Sequence, residues 1–149
     1  MLKGIPNIIS PELLKVLDEM GHGDSIVIGD LNYPACSHSK GNVLVRQDGV
    51  GTRELLDAIL SLFPLDAYNY HPMALMAVEQ PKAGEKVPEP PIWADYKAIV
   101  KKYESRGEDV IEFIERDEFY KRAKQAYAIV TTTEDALFAC MILTKGTNC

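Results

Sequence analysis

A chain of 149 residues, 46% hydrophobic and 26% charged, carries enough apolar residues to bury the core of one ordinary globular domain without staples. Its formal charge of −6, with no basic run interleaved with aromatics, sets nucleic acid aside as the main partner. No stretch approaches the ~18 consecutive apolar residues that a membrane-spanning helix needs.

Taken in chain order, the elements alternate. Ser10-Pro11-Glu12 reads as a helix start, with a capping hydroxyl, proline at the first helical position and an acid in the first turn. Leu13, Leu14, Val16 and Leu17 form one apolar stripe, and Gly21 is expected to stop the helix. The β-branched run at 25–29 predicts a buried strand, which leaves Asp30 at its carboxyl end, where α/β proteins hold ligands. Residues 32–35 read as a loop and 42–46 as a strand. Thr52 is expected to cap a helix over 52–62. A strand at 73–78, a proline-rich surface loop at 80–91 and a helix at 93–106 follow. Then come a strand at 110–114, a helix at 116–126, and strands at 128–132 and 138–143. The pattern predicts a single α/β domain over 1–149, a mixed sheet flanked by helices. The three cysteines (Cys36, Cys140, Cys149) form no CxxC pair, and residues 1–6 show no signal-peptide core. Reduced thiols and a cytoplasmic location are therefore expected.

His22 is the leading candidate for chemistry. It sits in Glu19-Met20-Gly21-His22-Gly23-Asp24, and imidazole is the side chain whose ordinary titration suits it to giving and taking protons near neutral pH. Its bland alternative is a histidine at the negative end of a helix dipole. A carboxylate on one ring nitrogen would fix the tautomer, and Asp24 or Asp30 could supply it, Asp24 being the more natural turn residue. Asp30 could equally bind sugar hydroxyls. Arg116 lies at a strand-to-helix junction, with Glu112, Glu115 or Asp117 as ordinary ion-pair partners. Phe119 reads as core, while Tyr120 could turn its hydroxyl to a ligand. Phe138-Ala139-Cys140 reads as buried sheet opening the last strand. His22, His38 and His71 have no metal-ligand spacing, and neither a nucleophile elbow nor a phosphate-binding glycine motif is present.

The chain resembles a sugar-mutarotase family that holds the L-fucose mutarotases and the D-ribose pyranases. The resemblance rests on Ile9-Ser10-Pro11-Glu12-Leu13-Leu14, on Glu19-Met20-Gly21-His22-Gly23-Asp24 and on Asp30-Leu31-Asn32-Tyr33-Pro34-Ala35. It continues through Pro64-Leu65-Asp66, Phe119-Tyr120-Lys121-Arg122-Ala123 and Ala126-Tyr127-Ala128-Ile129-Val130. It implies an isomerase without a cofactor or metal that interconverts the anomers of a free monosaccharide, L-fucose before D-ribose. Family rings, often decamers of two stacked pentamers, imply self-association with sites near subunit contacts. The family's proton-transfer histidine falls on His22 and its sugar-binding acid and arginine on Asp30 and Arg116. Its tyrosine, small residue and asparagine at the head of the last strand fall on Phe138, Ala139 and Cys140, a departure that removes a phenol and an amide. The alternatives are a pyranase-type pyranose–furanose exchange, a sugar-binding protein without catalysis and, more distantly, a metal hydrolase.

Overall fold

The computed structural model describes residues 2–79 and 86–148. Helix α1 (Pro11–Glu19) starts as its sequence predicts: the Ser10 hydroxyl accepts from the Leu13 amide at 3.2 Å, and Pro11 occupies the first turn. It buries Leu13, Val16 and Leu17. Its end differs from expectation. Met20, not Gly21, closes the helix in an extended conformation. The Lys145 ammonium then donates to the Leu17 and Met20 carbonyls at 2.7 and 2.6 Å. A cation from the far end of the chain thus satisfies groups that a glycine turn would otherwise serve.

Strand β1 (Ser25–Gly29) lies where its β-branched run predicts and is almost wholly buried. A one-turn helix, α2 (Ala35–His38), opens at the end of the expected loop. Strand β2 (Val43–Arg46) leads to α3 (Thr52–Leu60), then β3 (Met73–Met76) and α4 (Pro91–Tyr103). Strand β4 (Ile111–Ile114), helix α5 (Arg116–Ala123), β5 (Ala128–Thr131) and β6 (Met141–Thr144) complete the chain.

The six strands form one mixed sheet in the order β2-β5-β1-β6-β3-β4. The β1–β5, β2–β5 and β3–β4 pairs are parallel, and β6 runs antiparallel between β1 and β3. Five strands therefore end on the same edge of the molecule, its carboxyl pole, and β6 starts there. The alternation along β1 divides the core. Ile26 and Ile28 pack with residues of α1, α3 and α4, while Val27 packs on the other face with Phe119 and Ala123 of α5. The α/β class with a mixed sheet and flanking helices agrees with the sequence pattern. Among the described residues no helix is long and apolar enough to cross a membrane.

Several boundaries move. Gly51, not Thr52, is the N-cap of α3, and the Thr52 amide donates instead to the Glu134 carboxylate at 3.2 Å. The amphipathic pattern of α3 runs to residue 62, but the helix ends at Leu60 and the chain turns ahead of Pro64. Helix α4 begins earlier than expected because Pro91 supplies its first turn, and it ends at Tyr103. Residues 80–85 of the proline-rich segment lie outside the described residues. The strand expected from Phe138 starts only at Met141, because Phe138 has a positive φ of 57° that breaks any extended run.

Candidate active site

The predicted site residues fall on two opposite ends of the sheet. At the amino pole, Gly21-His22-Gly23 links α1 to β1. Gly23 takes a positive φ of 85°, which glycine adopts without strain. The turn is tied on both sides. The Gly21 amide donates to Asp24 Oδ2 at 2.7 Å, and the Gly23 amide donates to the Lys145 carbonyl at 2.9 Å. Asp24 is thus a turn residue and does not orient the histidine.

The carboxylate on His22 is Asp66, with Nε2 to Oδ1 at 3.1 Å. This corrects the expectation of Asp24 or Asp30. Asp66 reaches His22 through contacts distant in sequence: Leu65 bridges Lys145, and the Asp66 amide donates to the Thr144 carbonyl at 3.0 Å. The 64–66 turn presses so closely on residue 146 that a Cβ there would stand 2.5 Å from the Leu65 oxygen, so only glycine fits. Arg106, held by Glu104, donates to the Asp66 carbonyl at 3.1 Å. The Tyr68 amide donates to the same Oδ1 that faces His22, at 3.0 Å. Asp66 is therefore a rigid acceptor, its side chain 11% exposed, while the His22 ring is 46% exposed and keeps Nδ1 for a ligand. The Tyr68 ring stands 5.8 Å from it and is 82% exposed.

At the carboxyl pole, Asp30 follows β1. Its Oδ1 accepts from the Asn32 amide at 2.9 Å, and its own amide donates to Cys140 Sγ at 3.4 Å. Burial first, then the Asp30 charge, pushes the Cys140 thiol well up, so it stays protonated. Tyr120 on α5 lies close enough to feel Cys140, Arg116 and Asp30. Burial raises its phenol, with Arg116 pulling the other way. Arg116 opens α5 and pairs with Glu79 at 3.2 Å in a 520 Å³ cleft, not with Glu112, Glu115 or Asp117. Glu112 is taken by Arg122. A separate 380 Å³ cleft runs from Asp30 past Tyr33 and Ser37 to Thr131 and Arg46. Asp30, Arg116, Tyr120 and Cys140 thus share the carboxyl pole, with Phe138 and Ala139 just before Cys140. His22 is not among them: the five residues of β1, at about 3.3 Å each, set roughly 17 Å between it and Asp30.

Two further groups escape sequence reasoning. Buried Glu134 accepts from the Thr52 amide and hydroxyl and from the Ala136 amide. Burial pushes its carboxyl up, but those donors and Arg53 outweigh it and hold it below its ordinary value. His38 shares a 2.9 Å hydrogen bond between Nδ1 and the Tyr33 hydroxyl and packs edge-to-face on Tyr120 at 4.7 Å. Burial, then Lys124, lowers its affinity for a proton. The unfolded chain therefore binds that proton more readily. Stability from this site is fully present above the ordinary histidine pKa of about 6.5 and is lost as the pH falls below it. Thermal unfolding should show a steeper loss between pH 7 and 5 for the native chain than for His38→Gln. Cys36 is exposed and unpaired, and no three His, Cys, Asp or Glu side chains among the described residues converge as a metal site.

The sequence profile of the RbsD / FucU transport protein family matches residues 3–148. The chain is 45% identical over 146 residues to the fucose mutarotase of Homo sapiens, covering 97% of this chain and 93% of that protein. The crystal structure of FucU from Bifidobacterium longum superimposes with a TM-score of 0.91 at 49% identity, covering 99% and 100% of the two chains. The fucose mutarotase from Streptococcus pneumoniae, crystallised in complex with L-fucose, superimposes with a TM-score of 0.89 at 44% identity over 99% and 100%. A shared fold alone would not name a family, but a profile match over residues 3–148 and 45% identity over nearly the whole length do: the chain belongs to the RbsD/FucU family.

Proposed function

We propose that the chain is a mutarotase that interconverts the α and β anomers of L-fucose without a cofactor. The observation that carries the reading is the His22–Asp66 pair, a half-exposed imidazole fixed at one nitrogen by a buried carboxylate. Mutarotation opens a cyclic hemiacetal. A base takes the proton of the anomeric hydroxyl, the oxygen's electron pair forms the C1 carbonyl, and the bond from C1 to the ring oxygen breaks. The ring oxygen takes a proton, and closure on the other face of the carbonyl reverses each transfer. His22 acts as base in one direction and acid in the other, a role typically worth about 10² to 10⁴ in rate. Asp66 keeps its tautomer and aim. Asp30 and Arg116 hold sugar hydroxyls, and the protonated Tyr120 phenol donates a hydrogen bond. Phe138 offers an apolar wall to the C6 methyl, a group worth roughly 1–3 kcal/mol in discrimination.

His22 cannot serve Asp30 of its own chain across the length of β1. The reading therefore includes a homo-oligomer, a ring and by family resemblance a decamer, in which the amino pole of one copy closes over the carboxyl pole of its neighbour. Tyr68, 82% exposed beside His22, and Tyr70 two residues on, 87% exposed, are large apolar surfaces suited to such a contact. The free thiols of Cys36 and Cys140 fit action in the cytoplasm.

Saturation-transfer NMR with L-fucose and D-ribose tests the proposal. Accelerated exchange of the fucose anomers, faster than for ribose, is expected. Faster ribose exchange would replace it with a pyranase, and tight sugar binding without acceleration with a binding protein.

A further inference from the structure

Phe138 has a φ of +57° and is the one non-glycine residue with positive φ among the described residues. A bulky residue holds that conformation only where its surroundings enforce it. The enforcement comes from a single helix. Trp93 and Tyr96 lie three residues apart on α4 and so share a face. The Trp93 indole N–H donates to the Phe138 carbonyl at 2.9 Å, and the Tyr96 hydroxyl donates to the Ala139 carbonyl at 2.9 Å. Both rings are buried, and Trp93 also packs against Phe113 with centroids 4.7 Å apart. The Tyr96 oxygen is itself fixed. It lies against Thr52 Oγ1, which donates to Glu134 Oε2 at 3.0 Å, and Glu134 Oε1 receives the Ala136 amide at 3.1 Å. Two consecutive carbonyls are thus turned into α4, and just beyond them Cys140 Sγ meets the Asp30 amide.

We propose that Trp93 and Tyr96 are positioning residues for the sugar site, a two-point latch that holds the strained 138–139 backbone and with it the Cys140–Asp30 contact at the head of β6. The inference rests on the mutarotase reading above. Neither residue touches the sugar or moves a proton. Loss of the latch therefore weakens binding and leaves the chemical step alone.

Trp93→Phe removes the indole N–H and keeps an aromatic ring; Tyr96→Phe removes only the hydroxyl. Each variant is expected to raise KM for L-fucose about fivefold, the usual effect of one buried hydrogen bond, with kcat within about twofold of wild type. Glycine takes positive φ without strain, so in a Phe138→Gly background Trp93→Phe should change KM far less. A crystal structure of Trp93→Phe should find Phe138 out of the left-handed region. Wild-type KM in both variants with Phe138 still at positive φ would overturn the latch, as would an equal rise in KM in both backgrounds. A wild-type protein that fails to accelerate fucose exchange defeats the mutarotase reading instead, and the conformation of Phe138 in the variant then decides the latch by itself.

Discussion

His22→Ala slows the exchange of L-fucose anomers by about 10² to 10⁴, the range over which a positioned acid–base group contributes. The fold should survive. The His22 ring is half exposed, its neighbours Gly21 and Gly23 hold the turn through backbone bonds to Asp24 and Lys145, and its one hydrogen-bonded partner retains other donors. Asp66 keeps the Tyr68 amide on the oxygen that His22 leaves, and its turn stays tied to β6. The loss should therefore appear in kcat with little change in KM, the signature of an interaction made in the transition state. Saturation transfer at several fucose concentrations, with thermal unfolding as the control for folding, separates the two. An exchange rate equal to wild type would remove His22 from the mechanism.

Asp30→Ala should fail in the opposite way. Asp30 ends β1 with one oxygen committed to the Asn32 amide, and its backbone amide meets Cys140. A carboxylate hydrogen bond to a sugar hydroxyl contributes about 1.5 to 3 kcal/mol, so KM should rise roughly 10- to 100-fold while the proton-transfer step persists at saturating sugar. Isothermal titration with L-fucose reads the same loss directly. Retained affinity would mean that Asp30 serves only as the turn residue its Asn32 contact makes it. The Asn32 contact is lost too, so Asp30→Asn, whose side-chain oxygen can still accept from that amide, is the companion variant. It should keep the turn and still bind fucose more weakly.

What can be read of this molecule from its sequence depends on the range of the forces involved. The start of α1 is legible because Ser10 and Pro11 act on their own helix. β1 and the place of Asp30 are legible because a short β-branched run is buried wherever it lies, and the residue after it must reach the carboxyl pole. Asp66 is illegible as the partner of His22. It is 44 residues away and arrives there only through a bridge to Lys145 and a close approach to Gly146. Glu79 on Arg116 and Glu134 on Thr52 are hidden for the same reason, since local acids stand nearer in sequence. The late start of β6 is set by Trp93 and Tyr96 from another layer, and no local propensity of Phe138 announces a positive φ. The separation of His22 from Asp30 follows from strand direction alone. The family resemblance names both residues but is silent on the strand between them.

In the proposed assembly His22 of one copy works on sugar held by Asp30 of another. Co-expression of differently tagged His22→Ala and Asp30→Ala chains, with purification of the mixed oligomers, tests this most directly. Each variant alone should be nearly inactive at low fucose. In a random one-to-one mixture about a quarter of the contacts between copies pair an intact His22 with an intact Asp30, so about a quarter of the wild-type exchange rate should return. A mixture no more active than its two components would contradict the shared site.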